Sequence, residues 1–360
     1  MAAHSTHAIA TDRSAGLNPV RIAAFPRMRV LAWHNDVLYA SQGYALLRAA
    51  VETNASTIEW EHVGQYRPAA WRAITSSFWL TSRLFRDGFH ALAALSSGHL
   101  VGAVPHAIVT QSPGSTEFQL SHKLLRGTRP LHLATTPNDH IFWGEYFDNP
   151  QRDEVHIYVS TDRGAHWEAA HTFPKGAIRH VHNIVYDEWE DCFWVLTGDH
   201  GSECRILRAS YDFKNLDIAL SGNQQARAAA LVPTPDALYF SSDTPLESNH
   251  VYRLDRRGDL RQVTALSSSS TYGCRVGNVL FFSTMVEPSV INSSRDVCLY
   301  GSPGDAQWQP LQKWKKDRWP MGLFQYGNAI LPNGKNTTNL LAVTTIAVER
   351  ADLETSIWRI

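Results

Sequence analysis

Charge of one sign is missing from this 360-residue chain: 33 Lys and Arg stand against 34 Asp and Glu, a formal net charge of -1. That balance gives no global attraction to nucleic acid or to an anionic membrane, so neither is expected as a partner. Charge-driven recognition has to be local. No apolar run is long enough to cross a bilayer, and residues 1–17, rich in Ala, Ser and His, lack the apolar core of a secretory signal. The expectation is a cytoplasmic protein with a flexible segment over residues 1–17 and one domain over residues 18–360. Cysteine is scarce as well. Cys192, Cys204, Cys274 and Cys298 form no Cys-x-x-Cys pair, which excludes a zinc knuckle and leaves buried small hydrophobes. Helical periodicity is also sparse.

What the chain has is aromatics and short β-like runs. It carries 12 Trp, 12 Tyr and 14 Phe, a content that suits stacking on sugar faces as well as filling gaps between sheets. Val37-Leu38-Tyr39-Ala40, Ile141-Phe142-Trp143, Phe193-Trp194-Val195-Leu196, Ala237-Leu238-Tyr239-Phe240 and Val279-Leu280-Phe281-Phe282 each follow a turn signal such as Asn35-Asp36 or Gly277-Asn278. One hairpin is written repeatedly. Measured on the arginine that opens each unit, Arg129 to Arg179 is 50 residues, Arg179 to Arg227 is 48 and Arg227 to Arg275 is 48. Several short strands at that period predict an all-β fold, a single β-propeller of about seven four-stranded blades. Earlier units open near Arg29 and near Arg83 or Arg86, and the last near Gly322-Leu323. Six blades is the alternative, because Glu52 to Ser82 is poorly patterned.

The sharpest local signal is Ser160-Thr161-Asp162-Arg163-Gly164-Ala165-His166-Trp167, a Ser-x-Asp-x-Gly-x-x-Trp pattern. Asp162 can fold its carboxylate onto the N–H groups of the turn, Gly164 can take a positive φ, and Trp167 can open the next strand. Ser210-Tyr211-Asp212 and Gly304-Asp305-Ala306-Gln307-Trp308 are degenerate relatives. The eight-residue pattern resembles the Asp-box, or BNR repeat, of the sialidase-like β-propellers. The resemblance implies a propeller and marks architecture rather than the active site. The three arginines, Tyr–Glu pair and Asp of the sialidases have no residue-by-residue counterpart here, and Arg21-Ile22-Ala23-Ala24-Phe25-Pro26 matches their Arg-Ile-Pro motif only in part.

The repeated units also phase their polar residues. His132 stands three residues after Arg129, and His182 three after Arg179; the place after Arg227 is Ala230. Glu145, Asp199 and Asp243 each follow the second strand of a unit. Since the first strand of a blade lines the channel, Arg129, Arg179, Arg227 and Arg275 are expected at one mouth with those carboxylates. Several guanidiniums aimed at one funnel favour an anionic ligand such as a uronic or sialic acid. His180 and His182, two apart on a strand, share a face, with His132 at the equivalent place one blade earlier. Three imidazoles so placed can serve as acid and base, or can ligate a divalent metal with Asp199, Glu203 or Glu145 supplying oxygen.

These features resemble the propeller enzymes that cleave uronate-containing glycans. The leading expectation is therefore a carbohydrate-active enzyme on an acidic oligosaccharide or polysaccharide, a polysaccharide lyase or a glycoside hydrolase. As a lyase it would use His180 or His182 as base; as a hydrolase it would use Glu145 and Asp199, with Tyr146 beside Glu145. Arg129, Arg179, Arg227, Arg275, His132, Asp243 and Glu203 are the expected substrate-binding set. The alternative is a non-catalytic propeller that binds a glycan or a protein, and a third reading is a metal-dependent enzyme built on His132, His180 and His182.

Overall fold

The computed structural model describes residues 16–52, 57–304 and 307–360. Strand β1 (Val20–Pro26) is followed by β2–β5 (Arg29–Asn35, Val37–Gln42, Ala45–Ala50, Glu61–Tyr66), which form blade 1. A helical hairpin, α1 (Ala70–Ser77) and α2 (Trp79–Phe85), leads to blade 2, β6–β9 (Ala91–Ala94, Leu100–Val104, Ala107–Gln111, Glu117–Lys123). Blade 3 is β10–β13 (Ala134–Thr135, Ile141–Gly144, Val155–Ser160, Glu168–Phe173). Blade 4 is β14–β17 (His180–Asp187, Cys192–Gly198, Arg205–Ala209, Leu216–Ser221). Blade 5 is β18–β21 (Ala228–Pro233, Ala237–Ser242, His250–Asp255, Leu260–Ala265), and blade 6 is β22–β25 (Ser270–Val276, Val279–Thr284, Asp296–Pro303, Gln309–Lys315). After α3 (Met321–Phe324) come β26 (Asn328–Ile330), β27 (Asn333–Asn336), β28 (Leu340–Ile346) and β29 (Glu354–Arg359).

Blade 7 is β26, β28, β29 and, outermost, β1: Val20 pairs with Arg359 and Pro26 with Glu354. The ring is thus closed by backbone hydrogen bonds between its first and last strands. Strand β27 steps across to pair in parallel with β2. The described residues form seven blades. The poorly patterned stretch from Glu52 to Ser82 holds β5 and the inserted helices, which is why it broke the repeat.

The second strand of blades 2 to 7 is buried on both faces, which is why it reads as a continuous apolar run. Phe193 and Val195 face blade 3, whereas Cys192, Trp194 and Leu196 face blade 5. Seven apolar clusters repeat this arrangement, one in each seam between neighbouring blades, including the seam that joins blade 7 to blade 1. All four cysteines are free; Cys192, Cys204 and Cys298 are buried, and burial pushes the Cys192 and Cys204 thiols up to about 11. No described helix is long and apolar enough to cross a membrane.

The Ser160–Trp167 turn has the expected build. Asp162 Oδ1 accepts from Ala165 N (3.1 Å) and His166 N (2.9 Å), and Ser160 Oγ accepts from Gly164 N (2.8 Å). Gly164 has φ +87°, and a Cβ there would stand 2.8 Å from Val101 in blade 2. Trp167 Nε1 donates to Ser121 Oγ on β9 (2.7 Å), so the turn also ties blade 3 to blade 2. In blade 4, Asp212 and Ser210 make a similar turn without the glycine. In the third relative, Asp305 and Ala306 lie outside the described residues.

Candidate functional site

A cavity of about 290 Å3 opens on the channel at one face of the ring. Blades 1, 3, 4, 5, 6 and 7 contribute to its wall, together with Arg86, which caps α2. The innermost strands place these side chains. In blades 4, 5 and 6 a β-bulge interrupts that strand near its start, between Val181 and Asn183, between Ala228 and Ala230, and between Ser270 and Tyr272. The extra residues are His182, Ala229 and Thr271, and all three line the cavity. A bulge re-aims one side chain without ending the ladder. The position matching His182 in blade 5 is therefore Ala229 rather than Ala230.

The wall has two electrostatic halves. One holds Arg29, Arg86 and Arg129, none of which forms an ion pair among the described residues. Burial, and then the charges of Arg29 and Arg86, push Arg129 down to about 9; burial also lowers Arg29. The other half holds Asp243 and Glu287 around Arg227, with both carboxyls pushed upward by burial first and then by neighbouring carboxylates. Tyr146, Tyr272 and Tyr326 supply aromatic surface between them. Burial, reinforced by Asp243 and Asp199, pushes the Tyr146 phenol up to about 12.

Beside the acidic half, His180, His182 and Asp199 meet, each less than a tenth exposed. His180 Nε2 lies 3.0 Å from His182 Nε2; Asp199 Oδ2 is 3.5 Å from the former and Oδ1 3.4 Å from the latter. Arg179 and Arg227 each reach Asp199 at 3.2 Å. Burial lowers His180. These three residues form one of two groups of metal-ligating type among the described residues. In the other, Asp187, Glu190 and Cys192, the Asp187 carboxylate is already filled by Arg256, Trp194 Nε1 and Trp189 N.

The expected constellation is only partly assembled. Of its four arginines, Arg129 and Arg227 reach the cavity. Arg179 is held outside it by Asp148 (2.5 Å) and Asp199. Arg275 is the sixth of seven residues in β22, at the far end of the strand, and stacks on Trp189 at 5.0 Å. Blade 6 has Ser269 immediately before β22, where blade 5 has Arg227 before β18, so the third interval, Arg227 to Arg275, joined unlike positions. Glu145 does not face the channel. Arg126 grips both of its oxygens and His156 N donates to it at 2.8 Å, which leaves no carboxylate pair with Asp199. Glu203 is bound by Arg152 at 2.7 Å on the loop after β15. His132 lines the cavity but hydrogen-bonds Asn333 (3.0 Å) rather than joining the other two histidines; burial pushes it down to about 4.

The repeat puts Arg29 and Arg86 near unit starts but does not mark either as a site residue. It also misses Glu287 and Tyr272, because blade 6 is aligned on Arg275.

No protein-family model and no curated protein matches the chain. Among solved structures, a chain of the mitotic checkpoint complex matches with TM-score 0.59 at 10% identity, covering 99% of both chains. The WD40 β-propeller domain of Doa1 matches with TM-score 0.58 at 11% identity, covering 95% of this chain and 96% of that one. At such identities the likeness establishes the β-propeller fold alone. It does not confirm the Asp-box sialidase group; the Doa1 neighbour is by its description a WD40 propeller.

Proposed function

We propose that this propeller is a binding platform that captures a carboxylated, hydroxyl-rich small molecule, an acidic monosaccharide or the end of an acidic glycan, in its central cavity without cleaving it. The observation that carries this reading is the trio Arg29, Arg86 and Arg129, three cations on one wall with no carboxylate partner among the described residues. Mutual repulsion makes the trio costly until an anion arrives, and a carboxylate can accept from guanidiniums in pairs. Across the cavity Asp243 and Glu287 are positioned to accept from hydroxyls, and the tyrosines to cover a sugar face. A cavity of about 290 Å3 suits one sugar ring, being at the small end of ligand sites at roughly 300 Å3. Hydrolysis by a carboxylate pair is disfavoured because Arg126 occupies Glu145 and Arg179 and Arg227 occupy Asp199.

Calorimetric titration with glucuronate, galacturonate and sialate, against glucose as the neutral control, tests the reading. Expected is binding of at least one acid and none of glucose. Equal binding of glucose removes it. Release of reducing ends or of an unsaturated uronate from acidic oligosaccharides would restore the enzyme reading in its place.

A protein partner is the second reading, favoured by one surface. Trp71, Ile74 and Phe78 on the helical hairpin and Leu323 on α3 are half exposed or more. The checkpoint-complex neighbour is by its description part of an assembly. A Phe78→Ser, Leu323→Ser double variant should lose any partner that co-purifies with the native chain while keeping carboxylate binding. Retention of the partner would exclude this surface.

A further inference from the structure

We propose that His180, His182 and Asp199 form a binding site for one first-row divalent cation, zinc foremost, with a fourth position open toward the cavity. The reasoning starts from the ring nitrogens that face away from the centre. His180 Nδ1 lies 3.1 Å from the Phe147 carbonyl oxygen, and His182 Nδ1 lies 2.9 Å from the Ala228 carbonyl oxygen. A carbonyl only accepts, so each Nδ1 carries a hydrogen. In two neutral rings both Nε2 atoms then present lone pairs, and these point at each other across 3.0 Å. Buried lone pairs at that distance need something positive between them. An N–H donated to a backbone carbonyl is also the arrangement that orients an imidazole for a metal and fixes which nitrogen binds it.

The spacing fits a tetrahedral ion. Zinc–ligand bonds of about 2.0–2.1 Å place tetrahedral donors about 3.3 Å apart. The three separations here are 3.0, 3.4 and 3.5 Å. Two imidazoles and one carboxylate are a usual donor set for zinc, and three protein ligands leave a position for water or a ligand oxygen. His182 is itself part of the cavity wall, so that position gives onto the cavity.

The local charge allows a dication. Arg179 and Arg227 bring two positive charges near Asp199, but Asp148 binds Arg179, and Asp243 and Glu287 lie within electrostatic reach of Arg227. His132, expected from the repeat to be the third ligand, is replaced by Asp199 because its ring is turned to Asn333. The proposal is independent of the carboxylate reading of the cavity: either can fail while the other stands.

The test uses tag-free full-length protein stripped with a chelator. Zinc and cobalt(II) are then added, with metal content measured by mass spectrometry after desalting. Expected is one ion per chain, with the intense visible absorption of four-coordinate cobalt. His180→Ala and His182→Ala should each lower affinity at least tenfold while circular dichroism shows the fold intact. The cobalt spectrum of the unmutated protein stands whether or not the variants fold. Failure of the stripped protein to take up a stoichiometric ion overturns the proposal, as does undiminished uptake by both folded variants. A hydrogen-bond coupling between the two Nε2 atoms in nitrogen-15 NMR, unchanged by equimolar zinc, would also overturn it and assign a shared proton to the space.

Discussion

Arg83 and Asp317 stand 234 positions apart in the chain and 2.6 Å apart in the fold. The pair joins the helical hairpin between blades 1 and 2 to the loop leaving blade 6. Arg83 is 4% exposed; it also reaches Asp352 at 3.3 Å and donates to the Phe324 carbonyl. Buried Lys316 holds Asp317 from the other side. Removing one partner of a buried pair costs roughly 3–5 kcal/mol. Arg83→Met is expected at about 3 kcal/mol, the low end, since Lys316 still neutralises Asp317. Urea denaturation of the two proteins side by side checks the value; a change below 0.5 kcal/mol would mean that the hairpin is not anchored here.

Carboxylate binding in the cavity should depend on alkaline pH. Arg129 is cationic below about 9 and loses its proton as pH rises through that value. A ligand carboxylate is ionised throughout this range, so affinity should be level from pH 6 to 8 and fall above about 9. Arg86→Ala removes one of the charges that depress Arg129 and should move the fall to higher pH. Arg129→Ala should weaken binding about 10- to 100-fold, as expected for loss of a charge-assisted hydrogen bond. Titration calorimetry across pH separates these outcomes.

Acid should loosen the Ser160–Trp167 turn late. Burial raises the Asp162 carboxyl slightly in tendency, but the hydrogen bonds from His166 and Ser160 prevail and hold it at about 2. A depressed carboxylate contributes its stability in full above the unfolded value of about 4 and loses it as pH falls toward 2. Asp162→Ala is expected to cost on the order of 1 kcal/mol at pH 7 and nothing below pH 2. Thermal melts of both proteins from pH 2 to 7 read the difference.

The seams should be the most sensitive places to truncation. Phe193 is fully buried between blades 3 and 4 and packs on Phe142 with ring centres 4.5 Å apart. Phe193→Ala should cost roughly 3–5 kcal/mol. Chemical denaturation would show whether unfolding stays cooperative, as expected for a closed ring, or splits at the damaged seam.

The repeat was legible because the second strands of blades 2 to 7 must be apolar on both faces: Phe193-Trp194-Val195-Leu196 announces a buried strand whatever surrounds it. The Asp162 turn was legible because its hydrogen bonds are local. The cavity was much less so. Its side chains depend on where each innermost strand bulges, and a bulge at His182, Ala229 or Thr271 leaves no mark in composition. Arg275 illustrates the error: it kept the 48-residue period yet sits at the opposite end of its strand from Ser269, the residue that corresponds to Arg227. Arg86 owes its place to an inserted hairpin with no counterpart in the other units. Glu145 was recognised as a strand-end carboxylate, but its capture by Arg126 depends on a contact 19 positions away that no repeat encodes.

The pairing of Val20 with Arg359 has a consequence for how the molecule is made. During synthesis β1 emerges first and must wait, with its backbone edge unsatisfied, until β29 has left the ribosome. The first six sheets can stack in order, but the circle cannot shut before that last strand arrives. A nascent chain halted earlier keeps β1 without its partner and blade 7 unfinished, so the order of synthesis makes ring closure the last event of assembly.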